Sequence, residues 1–257
     1  MSVMPAPTPS WTASVQGWRL WVALLRLMGR LLALALQPAS YRGAAWPRVA
    51  QHLVTAALPA LWWYAVLSAL FGQVVIRIVV VTAQGYGLTQ YAVEAVVRVL
   101  VLELLPLAAA LFVLLRVMLA RGAELRRLRR EGRLPLELRD GLEPWRLHVL
   151  PRALGGAFAV VLLTMVSCIL ACVLTYLNLY GFSPWAWPSY TRAVGQIFNP
   201  AVTLIFSLKT LGFALAVGVV PLAAMFDGRS HSDVRALVRT AAVLLAVELL
   251  GLVGNYY

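Results

Sequence analysis

The sequence predicts an all-α integral membrane protein: an N-terminal interfacial amphipathic helix, five transmembrane helices, and a basic cytoplasmic helix between spans two and three. Three observations predict it. Apolar runs long enough to cross about 30 Å of hydrocarbon recur along the chain. Basic residues crowd into alternate connections. The other connections carry Tyr and Trp in place of charge. Composition agrees, with 61% hydrophobic residues, 12% charged residues and a mean hydropathy of +0.81. A soluble domain of this length needs far more charge to cover its surface. The net charge of +12 therefore points to membrane loops and not to nucleic acid.

The N-terminal segment MSVMPAPTPSW has no basic n-region and predicts no removable signal peptide. Residues 14–37 read as the interfacial helix. Arg19, Arg26, Arg30 and Gln37 share one stripe at roughly 100° per residue, and Trp18, Trp21, Leu24, Leu25, Met28, Leu31 and Leu32 cover the rest. The uncharged run Leu53 to Ile76 reads as the first span, with Pro59 and Gly72 as points where it can bend. Residues 83–91, AQGYGLTQY, form an uncharged turn. The second span runs from Tyr91 to Leu119, carries Glu94, Arg98, Glu103 and Arg116, and is interrupted by Pro106. Residues 153–191 hold no charge and supply the third span and an aromatic loop, NLYGFSPWAWPSYT. The fourth span covers about 195–226 and the fifth starts near Ala236. The whole chain reads as a single membrane domain, 1–257.

Arginine placement sets the orientation. Arg42 and Arg48 precede span one, nine arginines lie between Arg121 and Arg152, and Arg229, Arg235 and Arg239 lie between spans four and five. The alternate connections hold only Arg192. Five spans with a cytoplasmic N-terminus satisfy the positive-inside rule at every loop.

The basic segment 120–152 keeps leucines among its charges, and Glu124, Leu125, Leu128 and Arg129 fit helical spacing. A solvated loop does not need those leucines. A helix docking on a cytoplasmic partner does, and a charged helix lying on anionic lipid is the alternative. No catalytic constellation accompanies it: there is no G-x-x-x-x-G-K-[ST] loop, no G-x-S-x-G and no H-E-x-x-H. Cys168 and Cys172, within an apolar run, read as buried small residues, and His52, His148 and His231 are too isolated for a metal cluster.

Ionisable residues at membrane depth are costly and normally face the bundle interior. Glu94 and Arg98, four apart, read as a helical pair or as part of a transport path. Lys209 is the single lysine among 22 basic residues. Its expected partner is Glu103, Glu248 or an anionic headgroup, and Glu103 with Lys209 forms either a structural pair or part of a substrate path.

These residues also carry a resemblance. The run LELLPLAAALFVLLR, 102–116, is similar to the pattern R-E-L-G-P, an apolar stretch and G-R, in the MlaE/YrbE permeases of MCE-protein lipid transporters. Glu103, Leu104, Pro106 and Arg116 stand at matching positions. Glu124, Glu143–Pro144, Arg146, Pro151–Arg152, Lys209 and the run Arg235-Ala-Leu-Val-Arg239 follow in the family's order, and Gly72 and Tyr86 fall in register. Leu102, Leu105 and Ile78 depart from it, which marks a divergent member.

The resemblance implies a permease subunit without its own nucleotide site, in the bacterial inner membrane. It implies a second permease copy, an ABC ATPase carrying ATP and Mg, and an MCE-domain protein on the periplasmic side. The implied phospholipid cavity, at the dimer interface, is lined by Val75, Tyr86, Glu103 and Lys209. The implied ATPase contact uses Glu124, Leu128, Arg129, Glu131, Leu134, Leu138 and Arg139 on the coupling segment. An ion-coupled secondary transporter and a noncatalytic membrane assembly subunit are the alternative functions.

Overall fold

The computed structural model describes residues 22, 25–26, 28–38, 45–131, 148–223 and 233–256. Uninterrupted apolar sequence favours helix because a bilayer offers backbone N–H and C=O groups no other partner. Among the described residues, five helices are long and apolar enough to cross a membrane: Trp46–Gly85, Tyr91–Glu124, Leu150–Tyr180, Pro200–Leu222 and Ala236–Gly254. No strand occurs among the described residues.

Ahead of the spans, residues 28–36 are helical, with Leu31 and Leu34 buried in the core and Arg26 and Arg30 exposed. Most of the rest of the expected 14–37 helix lies outside the described residues.

Helix α1, Ala45–Gly85, has 41 residues and contains Pro59 without ending there. At 1.5 Å per residue it is about 60 Å long, twice the hydrocarbon thickness. The uncharged run Leu53 to Ile76 is thus only its middle.

The next helix, α2, is continuous from 89 to 130 but not uniform. It is α-helical over Thr89–Ala95, π-helical over Val96–Leu104, α-helical over Leu105–Val113, π-helical over Leu114–Met118 and α-helical over Leu119–Arg130. The expected interruption at Pro106 takes this form: the ladder widens before the proline, which then sits in the first turn of the following α segment. Span two also does not stop at Leu119. It runs without a break into the basic segment.

Helix α3 spans Leu150–Tyr180, α4 Trp187–Ile197, α5 Pro200–Ala223 and α6 Asp233–Tyr256. The short α4 corrects the expected aromatic loop and the start of span four. Its residues Tyr190, Ala193, Val194 and Ile197 recur at helical spacing and turn onto the core, while Ser189, Thr191 and Arg192 face outward. The Tyr190 hydroxyl donates to the Cys172 carbonyl at 2.7 Å, and the Tyr176 ring packs on Trp187 and Tyr190. Asn199 starts α5 by accepting the Val202 N–H at 2.8 Å, as an N-cap does. Both cysteines are free thiols.

The core has two main parts. One joins α1, α2, α3, α5 and α6 around Ala57, Val113, Leu163, Phe213 and Leu244. The other, around Ile76, Leu100, Val101, Tyr176 and Ile197, closes the aromatic end. Large apolar residues on the outside, including Trp62, Leu70, Leu208 and Leu250, are exposed, as lipid-facing positions are.

Inside a bilayer, amide pairs add specificity to such packing. Gln73 on α1 and Asn178 on α3 exchange hydrogen bonds at 3.2 and 2.9 Å. Breaking one side leaves the other amide short of a partner, so Asn178→Leu is expected to cost roughly 1–2 kcal/mol. Pairing it with Gln73→Leu is expected to recover part of that loss. Thermal unfolding in detergent checks this, and strictly additive losses would contradict the pairing.

Candidate functional site

Charge at membrane depth is concentrated where α2, α5 and α6 meet. Lys209 on α5 is buried, its side chain 1% exposed. Its Nζ donates to the Glu103 carboxylate on α2, to Glu248 Oε1 on α6 at 2.9 Å, and to the Leu102 carbonyl at 3.2 Å. An ammonium has three N–H donors, and the protein supplies three acceptors. The Phe213 ring lies 5.9 Å from Nζ and covers another side.

Local sequence explains how each group arrives. Pro106 has no N–H to offer the carbonyl four residues back, which is that of Leu102. The π-helical turns before it loosen the same region, and cross-helix donors converge there. Cys168 Sγ approaches the Val101 carbonyl at 3.6 Å, Lys209 takes that of Leu102, and the Tyr64 hydroxyl takes that of Leu105 at 3.2 Å. On α6 the lysine stem passes over Gly251, where a Cβ would lie only 2.8 Å from Lys209 Cδ. Glycine there is a requirement of close approach.

One ammonium between two carboxylates gives the three ionisable side chains a formal charge of −1. Glu248 Oε2 is buried without a hydrogen-bond partner among the described residues. A group of this kind ties three helices together while everything is paired, and it responds strongly when one member changes.

Of the four expected cavity residues, the structure brings two together, Glu103 and Lys209. Val75 is partly buried against the second core cluster on α1. Tyr86 is 78% exposed at the turn after α1, about 16 Å farther along the helix axis from Val75. In the expected coupling segment, Glu124 pairs with Arg152 at 3.3 Å and Glu131 with Arg127 at 2.8 Å. Leu128 and Arg129 lie within the last turns of α2. Leu134, Leu138 and Arg139 lie outside the described residues. Glu94 and Arg98 form the expected pair, at 2.8 Å, and both are partly exposed.

Three contributors were not found by reading the sequence: the Leu102 carbonyl, Gly251 and the π-helical turns. Pro106, four residues after Leu102, is the signal that points to the first of them.

Against known proteins, the family model described as Permease MlaE matches residues 49–253, most of the chain. No curated protein matches it as a relative.

Removing the ammonium leaves two buried carboxylates facing each other. Lys209→Met is therefore expected to lose about 3–5 kcal/mol of stability. The triple change Glu103→Gln, Lys209→Met, Glu248→Gln is expected to recover most of it. Unfolding midpoints of the purified variants check the pattern, and an unaffected Lys209→Met would contradict the pairing.

Proposed function

The chain belongs to the MlaE permease family, and from that premise we propose that it is the membrane subunit of an ATP-driven transporter of phospholipid. Two copies span the bacterial inner membrane, an ABC ATPase binds on the cytoplasmic side, and an MCE-domain protein receives or delivers lipid on the other. The basic end of the bundle faces the cytoplasm, as the placement of arginines favours. The chain has no phosphate-cradling loop, which fits a subunit whose ATP and Mg are held by its partner.

The observation that carries this reading is the continuity of α2. One helix holds the basic segment at its end, with Glu124 and Glu131, and the buried Glu103 in its π-helical part. A push on the cytoplasmic end by the ATPase moves the same rod that presents Glu103 to Lys209. Phospholipid chains need an apolar chamber and the phosphate needs a cation. The chamber forms between the two copies, lined by Val75, Tyr86, Glu103 and Lys209. A headgroup phosphate competes with Glu248 for the Lys209 ammonium, so lipid entry and the contacts between α5 and α6 are linked. Leu128, Arg129, Leu134, Leu138 and Arg139 complete the ATPase contact with Glu124 and Glu131.

The test is reconstitution with the co-purified ATPase in proteoliposomes. The wild type is expected to retain phospholipid, stimulate ATP hydrolysis and move lipid only with ATP. Glu131→Lys is expected to lower ATPase stimulation several-fold while retaining bound lipid. Transport driven by an ion gradient, with no ATPase attached, would overturn the proposal in favour of a secondary transporter. An intact complex with no lipid movement would indicate an assembly subunit.

A further inference from the structure

A second charged cluster lies at the other level of the bundle, at the basic ends of α1, α2 and α3. Arg152, near the start of α3, is 7% exposed. Its Nη1 donates to the His148 carbonyl at 2.9 Å and its Nη2 to Glu124 at 3.3 Å, while its Nε is buried with no acceptor among the described residues. Arg121, on α2, enters between α1 and α3. Its Nη2 donates to Thr55 Oγ1 at 3.1 Å and to the His52 carbonyl at 3.4 Å, and its Nη1 is buried with no acceptor among the described residues. The entry depends on Gly155, where a Cβ would stand 2.7 Å from the His52 carbonyl oxygen and 2.8 Å from Arg121 Nη1.

The charges do not balance. Among the described residues Arg121 has no carboxylate hydrogen-bond partner, Glu124 is engaged by Arg152, and Arg48 stands exposed on α1 near enough to His148 to act on it. His148 reports the resulting field: burial first, then Arg152 and Arg48, hold its pKa below the ordinary histidine value. Buried guanidinium groups with unmet donors are costly, and an anion of single charge at the cluster offsets the unbalanced field. The depth identifies its source. Arg121 and Arg152 occupy the terminal turns of the second and third apolar helices, and the exposed Trp46 begins the first, positions of the kind that meet lipid headgroups.

We propose that Arg121 and Arg152, with Arg48 at the open side, form a binding site for a phosphate anion, supplied by an anionic phospholipid of the cytoplasmic leaflet. The leaflet assignment rests on the orientation proposed above; the anion chemistry does not. The site is separate from the transport path, because Arg121 lies about 25 Å along α2 from Glu103. The bound lipid clamps α1, α2 and α3 together where α2 leaves the membrane.

The full-length chain in detergent, without ATPase, is titrated with phosphatidylglycerol, phosphatidylcholine or inorganic phosphate while thermal unfolding is followed. Phosphatidylglycerol is expected to raise the wild-type midpoint by several degrees and phosphatidylcholine to raise it far less. That difference is expected to vanish in Arg121→Gln and to persist in Arg30→Gln, an exposed arginine on the preceding helix. Equal stabilisation by inorganic phosphate supports the anion site and overturns the lipid as its source. No preference in the wild type, or equal loss in Arg30→Gln, overturns the proposal. Should Arg121→Gln fail to fold, Arg48→Gln, at the exposed edge of the cluster, decides: a reduced preference for phosphatidylglycerol supports the site and an undiminished one overturns it. Because no ATPase takes part, this outcome is independent of whether the chain transports lipid.

Discussion

The buried ammonium of Lys209 is the constraint around which the bundle is organised. A lysine at this depth is tolerable only with all its donors met, and the acceptors come from two other helices. Two are carboxylates. The third is a backbone carbonyl that a regular helix would have used internally. Pro106 withholds the N–H that would have occupied it, and the π-helical turns of Val96–Leu104 give the segment its irregular ladder. The proline is thus tolerated in a span because side chains from neighbouring helices satisfy the freed backbone, the condition under which membrane helices accept such breaks. Tyr64 and Cys168 act on the adjoining carbonyls in the same way, so α1, α3 and α5 all fasten onto one stretch of α2.

This arrangement links the two charged levels of the molecule. Glu103 and Glu124 lie on one continuous helix, the first held by Lys209 and the second by Arg152. Between them a second π-helical segment, Leu114–Met118, lies against the core. Apolar packing fills the space between the levels, with Gly156 and Gly218 allowing close approach to Met118 and Ala153. The polar contacts add to the register that this packing sets among the helices: the Lys209 group, the Gln73–Asn178 pair and the arginines at the basic end. A bundle fastened at a few polar points can change its contacts at one of them while the remainder holds.

The sequence made the spans and the ion group legible for different reasons. Charge-free runs and alternating arginines gave five spans, because hydrocarbon excludes charge regardless of tertiary detail. Glu103, Glu248 and Lys209 stood out because ionised groups are rare in such runs, and the single lysine named the centre. The length of α1 was hidden because its extra turns carry Arg48, His52 and Arg77 and extend beyond the uncharged run. Helix α4 was hidden by Pro184, Pro188 and a cluster of aromatics, which read locally as loop; burial of Tyr190, Val194 and Ile197 against α3 overrides that. The π-helical turns leave no periodic signature, and the contribution of a carbonyl oxygen cannot be read from side-chain types. Val75 and Tyr86 rest on the family resemblance, and a single copy of the chain does not bring them to Lys209.

The most direct measurement of the central claim is a charge transposition. Glu103→Lys and Lys209→Glu are made separately and together, and the folded fraction of each is read from gel-filtration profiles in detergent. Each single change leaves like charges buried against each other and is expected to remove most of the folded peak. The double change restores one ammonium between two carboxylates and is expected to recover most of that loss. A double variant no better than the worse single would contradict a structure held together by the ion group of α2, α5 and α6.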